Sequence, residues 1–261
     1  MIHLDSLRVT FHPGTALEKV ALKNVFLHID EGDFITVIGS NGAGKSTLLN
    51  AIAGEVSPES GKILIDNRDV TFTTTYERAP WVARVFQDPL TGTCGSLTIA
   101  ENMALAMKRG KKRTLTRSLD RTTKNLIKHH LETLNLGLEN RIDTAISVLS
   151  GGQRQAISLL MASLSESRIL LLDEHTSALD PKTAAYVLDL TQKIISDLKL
   201  TVLMVTHSLQ HALTIGNRTI ALHEGNIIYD VCGLERANLT VQDLMSHFGK
   251  SLDDDRLLLQ K

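Results

Sequence analysis

The segment that most restricts what this chain can fold into comprises Gly39, Ser40, Asn41, Gly42, Ala43, Gly44, Lys45, Ser46 and Thr47. It fits the spacing G-x-x-x-x-G-K-[ST], and the required context is present. A short apolar run, Phe34 to Ile38, precedes it, and a helical pattern starts near Gly44. Glycines let the backbone wrap closely round a phosphate, so that consecutive N–H groups and a helix N-terminus face the anion. Lys45 supplies positive charge for the β- and γ-phosphates of a nucleotide, and the Ser46 hydroxyl is a candidate Mg2+ ligand. An incidental glycine-rich turn would need neither the strand before it nor the helix after it.

The rest of the chain supplies a framework of the matching kind. Strand-like runs lie at residues 2–10, 21–29, 63–65, 82–86, 169–172 and 201–205, with a hairpin pattern at 218–230 around Glu224 and Gly225. The run Ile169, Leu170, Leu171, Leu172 is aliphatic throughout, as a strand covered on both faces of a parallel sheet must be. Residues 181–198 read as a helix with Pro181 in its first turn, and shorter helices are expected at 209–215 and 241–248, before a polar tail at 253–255. Strands alternating with helices predict an α/β core. Residues 98–165 are helical by period, with Leu126, Ile127, His130, Leu131 and Leu134 on one face and Ile157, Leu160, Met161 and Leu164 on another. The expected division is a core of residues 1–87 and 166–261 with a helical subdomain, 88–165, inserted into it.

Asp173 and Glu174 follow the aliphatic run directly. Strand C-terminal ends line the ligand crevice of a doubly wound sheet, so Asp173 is a candidate neighbour of Mg2+ and Glu174 a candidate to orient or deprotonate an attacking water. A further anion-holding sequence, Leu149, Ser150, Gly151, Gly152 and Gln153, precedes a helix expected to begin near Arg154. A serine and two glycines at a helix start can hold a phosphate by the same N–H and dipole logic. A second such site on one chain makes sense if it serves a nucleotide held by another copy.

With these motifs the chain resembles the ATP-binding subunits of ABC transporters over nearly its whole length. LSGGQ is that family's signature motif and is much more specific than the phosphate loop alone. Gln87 resembles the family's Q-loop glutamine, residues 177–180 ending in Asp180 its D-loop, His207 its switch histidine, and Phe11 the aromatic that stacks on adenine. The resemblance implies a P-loop NTPase (RecA-like) core with an antiparallel β subdomain and an inserted helical subdomain. It also implies a head-to-tail dimer in which each ATP lies between Lys45 of one copy and Ser150, Gly151, Gly152 and Gln153 of the other. It makes Glu174 the catalytic base, His207 a γ-phosphate contact, Ser46, Asp173 and Gln87 the Mg2+ or water contacts, and Asp180 a residue working across the dimer interface. Such catalysis is positioning plus electrostatics.

One departure stands beside the acid pair. The family usually has proline after the catalytic glutamate; this chain has His175. The acids and Asp180 are intact, so activity is expected, and His175 reads as the mark of a subfamily that alters backbone freedom after Glu174. Residues 33–40, 98–103 and 172–176 resemble the ATPase of bacterial import systems with a branched-chain-type permease and a lipoprotein or periplasmic substrate-binding protein. Some of those systems are assigned to tryptophan or tyrosine uptake.

Composition fits a peripheral subunit. The chain has 261 residues, 28 Lys+Arg against 29 Asp+Glu, 43% apolar residues and two cysteines. A nucleic-acid coat protein, a disulfide scaffold, a coiled coil and a disordered chain are thereby disfavoured. No run approaches the ~20 apolar residues of a membrane span, and His3, Asp5 and Arg8 leave no room for a signal-peptide core. A cytoplasmic protein at the inner face of a membrane is expected, with transmembrane permease subunits as partners and a substrate-binding protein acting indirectly.

The near-neutral total hides one asymmetry. From Lys108 to Lys128 there are nine basic residues against Asp120 alone. This stretch reads either as a solvated face or as a contact for anionic headgroups; no aromatics interleave it to stack bases. The competing function is a soluble ATPase of the same family, such as one of iron–sulfur assembly. A nucleotide-binding module without turnover is opposed by the presence of Lys45, Asp173, Glu174 and His207.

Overall fold

The computed structural model describes residues 1–111, 117–165 and 167–248, without the side chains of 246–248. Lys112 and Arg113 of the basic stretch and the polar tail at 253–255 lie outside the described residues. In chain order the first elements are β1 (Ile2–Phe11), β2 (Lys19–Ile29), β3 (Phe34–Ile38), α1 (Lys45–Ala53), β4 (Ser60–Ile65), β5 (Arg68–Asp69) and α2 (Thr75–Arg78). Then come β6 (Val82–Val85), α3 (Ile99–Met107), α4 (Arg121–Glu132), α5 (Gly151–Ser163), β7 (Ile169–Asp173) and α6 (Pro181–Leu198). The chain continues through β8 (Val202–Val205), α7 (Leu209–Thr214), β9 (Arg218–His223), β10 (Asn226–Cys232), α8 (Gly233–Ala237) and α9 (Val241–Phe248). The chain divides into two compact units, one of residues 1–78 with 200–261 and one of residues 79–199.

In the first unit, β2, β1, β4 and β5 form a four-stranded antiparallel sheet. β1 begins with alternating buried and exposed residues, the period-2 pattern of a half-covered sheet. Strands β10, β9, β3 and β8 lie side by side in that order, parallel except for the β9–β10 hairpin. All five residues of β3 and all four of β8 are buried, which is why neither alternates in sequence. This is the expected mixture of antiparallel and parallel β structure with helices.

Arg78, 1% exposed, closes the C-terminal end of α1. Its guanidinium donates to the carbonyls of Ala51 (2.6 Å), Ile52 (2.9 Å) and Thr71 (3.0 Å), and burial pushes its pKa down to about 10. The last turn of the helix behind the glycine-rich loop is thus satisfied by a side chain far away in sequence.

In the second unit, β6 and β7 pair in parallel, with Val85 opposite Leu172. α6 is amphipathic, burying Val187, Leu188, Leu190, Thr191, Ile194 and Ile195, and is started by Asp180 and Pro181. α3 starts with a capping box between Thr98 and Glu101. The buried Asn102 clamps the preceding loop by donating to the carbonyls of Cys94, Leu97 and Thr98 and accepting from Cys94 N–H.

The strand and helix expectations hold closely, with one boundary corrected. The helix expected near Arg154 starts at Gly151, with Ser150 as its N-cap. The signature residues are the first turn of that helix because Ser150 and Gln153 form a capping box. Short elements β5, α2 and α8 carry no periodicity and escape a sequence reading.

Candidate nucleotide-binding and hydrolysis site

The first unit holds the glycine-rich loop. It leaves β3 at Gly39 and enters α1 at Lys45, with Gly39, Gly42 and Gly44 at φ 151°, 78° and 107°. A Cβ at Gly39 would stand 2.3 Å from the Leu222 carbonyl oxygen, and one at Gly44 2.6 Å from that of Ala21. Both positions therefore require glycine on space as well as on conformation. Lys45 is 6% exposed, and its ammonium donates to the Gly39 (2.7 Å) and Ser40 (3.0 Å) carbonyls, curling the loop around the charge. Gly44 gives α1 no side-chain cap, so the first-turn N–H groups face the loop's interior undressed by a side chain. Ser46 is exposed on that turn, and Asn41 and Gly42 are exposed at the loop's crest. Ala43 and Thr47 tuck inward, Ala43 being held by its N–H to Ser40 O (3.1 Å) and by Gly225 N–H on its carbonyl (2.9 Å).

His207 belongs to the same unit. β8 pairs in register with β3, Val205 opposite Val37, and Thr206 N–H donates to Val37 O at 3.1 Å. The loop and His207 thus leave neighbouring parallel strands at their C-terminal ends. Phe11, half-buried at the end of β1, pairs with Lys19 on β2. The Lys19 ammonium reaches to 3.5 Å from where a Gly42 Cβ would stand. Sequence reading missed this second cation at the loop, because nothing local connects residue 19 to residue 42.

The second unit holds the acid pair. Asp173 is the last residue of β7, and Arg84 on β6 donates to its Oδ2 at 2.7 Å, both side chains largely buried. The Arg84 guanidinium also lies over the Phe86 ring, 4.6 Å from its centroid. Glu174 follows in the left-handed region at φ 45°. A non-glycine residue there stores on the order of 1–3 kcal/mol of strain, which neighbouring contacts must hold. Ser177 supplies two of them: its N–H and its hydroxyl both donate to the Glu174 carbonyl, at 2.9 and 2.8 Å. Gln87 Nε2 donates in turn to the Ser177 hydroxyl at 3.1 Å. Gln87, Ser177 and the backbone of Glu174 therefore form one hydrogen-bonded chain.

Ser150 Oγ accepts from Gln153 N–H (3.3 Å) and Gln153 Oε1 accepts from Ser150 N–H (3.2 Å). Gly151 is half-buried near Leu179, whereas Gly152 is buried against α6, where a Cβ would stand 2.1 Å from Thr183 Cγ2. Gly152 thus has a packing reason to be glycine in addition to any anion it admits. Asp180 caps α6 by accepting from Thr183 N–H at 3.1 Å, and hydrogen bonds from Thr183 hold its carboxyl below the usual range.

The donor types suit a nucleotide and a hard cation. In the first unit the cradle is backbone N–H and ammonium, as an anion needs, and Ser46 adds a hydroxyl oxygen; in the second unit Asp173 carries a carboxylate that accepts from Arg84. Among the described residues no cluster of three His, Cys, Asp or Glu could hold a metal by itself.

A family model described as ABC transporter matches residues 22–177. A tyrosine transport ATP-binding protein of Clostridioides difficile is 45% identical over 248 residues, 95% of this chain and 98% of that protein. The chain belongs to the ABC transporter family. Another ABC transporter relative, a methionine import ATP-binding protein of Streptococcus agalactiae, is 35% identical over 98% of this chain and 68% of its own length. Among solved structures, a dimeric ATP-binding cassette in a post-hydrolysis state bound to ADP and Pi superposes with a TM-score of 0.75. It is 31% identical, over 89% of this chain and 98% of that one. Like other ABC transporter ATPases, the chain has the P-loop NTPase fold and is an ATP-binding, ATP-hydrolysing transport subunit. Iron–sulfur assembly is not favoured, since the relatives above are transport and import subunits. No helix among the described residues is long and apolar enough to cross a membrane.

Proposed function

We propose that this chain is the ATPase of a bacterial importer of amino acids, working as a homodimer against two permease subunits at the cytoplasmic face of the membrane. A substrate-binding protein acts through the permease, and nucleic acid has no part. The observation that carries the nucleotide reading is the glycine cradle closed on the buried Lys45. The amino-acid reading is supported by the relatives, which are named for tyrosine transport and methionine import.

In this reading Gly39 to Thr47 wrap the phosphates, Lys45 neutralises the β- and γ-oxygens and Phe11 stacks on adenine. Ser150, Gly151, Gly152 and Gln153 meet the γ-phosphate held by the other copy, and Asp180 works at the interface between copies. Ser46, Asp173 and Gln87 would hold Mg2+, which would supply positive charge against the phosphates. Glu174 takes the proton of the attacking water and His207 contacts the γ-phosphate. Residues 88–165 form the helical subdomain that meets the permease, with the exposed Lys108, Lys111, Arg117, Arg121 and Lys128 towards anionic headgroups. Lys124 is instead paired with Asp143 at 3.2 Å.

Two variants test the reading. Lys45→Ala is expected to abolish tight ATP binding in a fluorescent-nucleotide titration; unchanged affinity would remove the cradle from the nucleotide. Glu174→Gln is expected to bind ATP, stop hydrolysis and accumulate as an ATP-bound dimer on size exclusion. Hydrolysis near the wild-type rate would show that Glu174 is not the base.

A further inference from the structure

His175, directly after Glu174, is 2% exposed. Its Nε2 lies 3.0 Å from Thr191 Oγ1 in the middle of α6, and Thr191 is fully buried. The Thr191 hydroxyl has a single proton, which it donates to the Val187 carbonyl one turn earlier at 2.7 Å. Oγ1 is therefore the acceptor toward the ring, and His175 Nε2 carries the proton it donates. The ring is fixed in tautomer and orientation by a hydroxyl that the helix has itself fixed.

This anchor acts beside a left-handed, strained residue of the site. Glu174 sits at φ 45°, and the backbone carbonyl between it and His175 receives both donors of Ser177. The Ser177 bonds hold that peptide from the downstream turn, and the His175 ring ties the next residue to α6. We propose that His175 is a positioning residue for hydrolysis: its hydrogen bond to Thr191 fixes the left-handed backbone from which the Glu174 carboxylate is aimed. A proline, which the family usually has here, locks its own φ through its ring, whereas His175 is tied in place by a side-chain bond to a residue 16 positions on. The inference rests on Glu174 being the base.

The test uses the full-length chain, with kcat and KM for ATP measured alongside Tm. Thr191→Val keeps the side-chain shape and removes the acceptor. It is expected to lower kcat about tenfold with KM within about twofold, since small misplacement of a catalytic group costs rate rather than ground-state binding. Thr191→Ser keeps the hydroxyl and is expected to retain kcat. His175→Ala combined with Thr191→Val should be no slower than the slower single variant, because both break one bond. A Thr191→Val protein with lowered Tm but wild-type kcat, or Ser and Val variants equally slow, would overturn the proposal. Should His175→Ala fail to fold, the Thr191 pair decides alone. Glu174→Gln separates the two readings. If it hydrolyses ATP normally, the base assignment fails. If it is inactive while Thr191→Val is fully active, the positioning role of His175 fails.

Discussion

The Arg84 guanidinium donates to Asp173 Oδ2 at 2.7 Å across the β6–β7 pair, so the acid proposed to hold Mg2+ already has a cation beside it. The two are 89 residues apart in sequence. Removing one partner of a largely buried ion pair leaves the other charge uncompensated, so Arg84→Met is expected to cost about 2–3 kcal/mol in urea unfolding. The same change frees the carboxylate for the metal, so the Mg2+ concentration giving half-maximal ATP hydrolysis should fall. A rise in that concentration would mean that Arg84 aims Asp173 at the metal instead of competing with it.

Gly152 and Thr183 make a paired prediction. Gly152→Ala drives a Cβ to 2.1 Å from Thr183 Cγ2, an overpacking that costs about 1–3 kcal/mol. Thr183→Ser deletes that methyl and should restore most of the lost stability in the double variant, as read by thermal unfolding. If stability is unchanged in Gly152→Ala while ATP hydrolysis is lost, the glycine serves the nucleotide alone.

Lys19 adds charge beside the crest of the loop, so Lys19→Gln should weaken ATP binding about two- to fivefold at low salt. The difference should shrink in 0.5 M salt, where the screening length drops to roughly 4 Å. Equal weakening at both ionic strengths would mean that Lys19 acts through its shape and not through its charge.

Acid should destabilise the protein below its histidines' ordinary range. Burial holds the His211 imidazole below its usual 6.5, and burial followed by the charge of neighbouring His129 does the same to His130. The unfolded chain therefore takes up protons from about pH 6.5 downwards, before the folded chain does, and stability falls through that window. Thermal unfolding between pH 8 and pH 5.5 should show the drop, and His211→Gln should flatten it. Carboxylates held low by hydrogen bonds, such as Asp180, add their loss at lower pH.

How far this was legible from sequence differs between the elements and the site. The phosphate loop, its flanking β3 and α1, the buried runs of β7 and β8 and the span of α6 are each written in contiguous spacing: a fixed glycine register, an unbroken aliphatic run, an apolar stripe behind Asp180 and Pro181. Reading Gly151 and Gly152 as a local breaker puts the start of the signature helix three residues late, although the S-x-x-Q spacing of Ser150 and Gln153 is itself the sequence mark of a capping box.

The sequence by itself determined which motifs are present, their order, and the family to which they belong. Tertiary structure decided what stands next to them: Arg84 on Asp173, Lys19 at Gly42, Thr183 under Gly152 and Thr191 holding His175. Motif chemistry repeats at short range, where backbone period alone sets which side chains meet. These four pairings join residues that become neighbours only after strands have paired and helices packed, and no local period encodes which strand or helix will be adjacent.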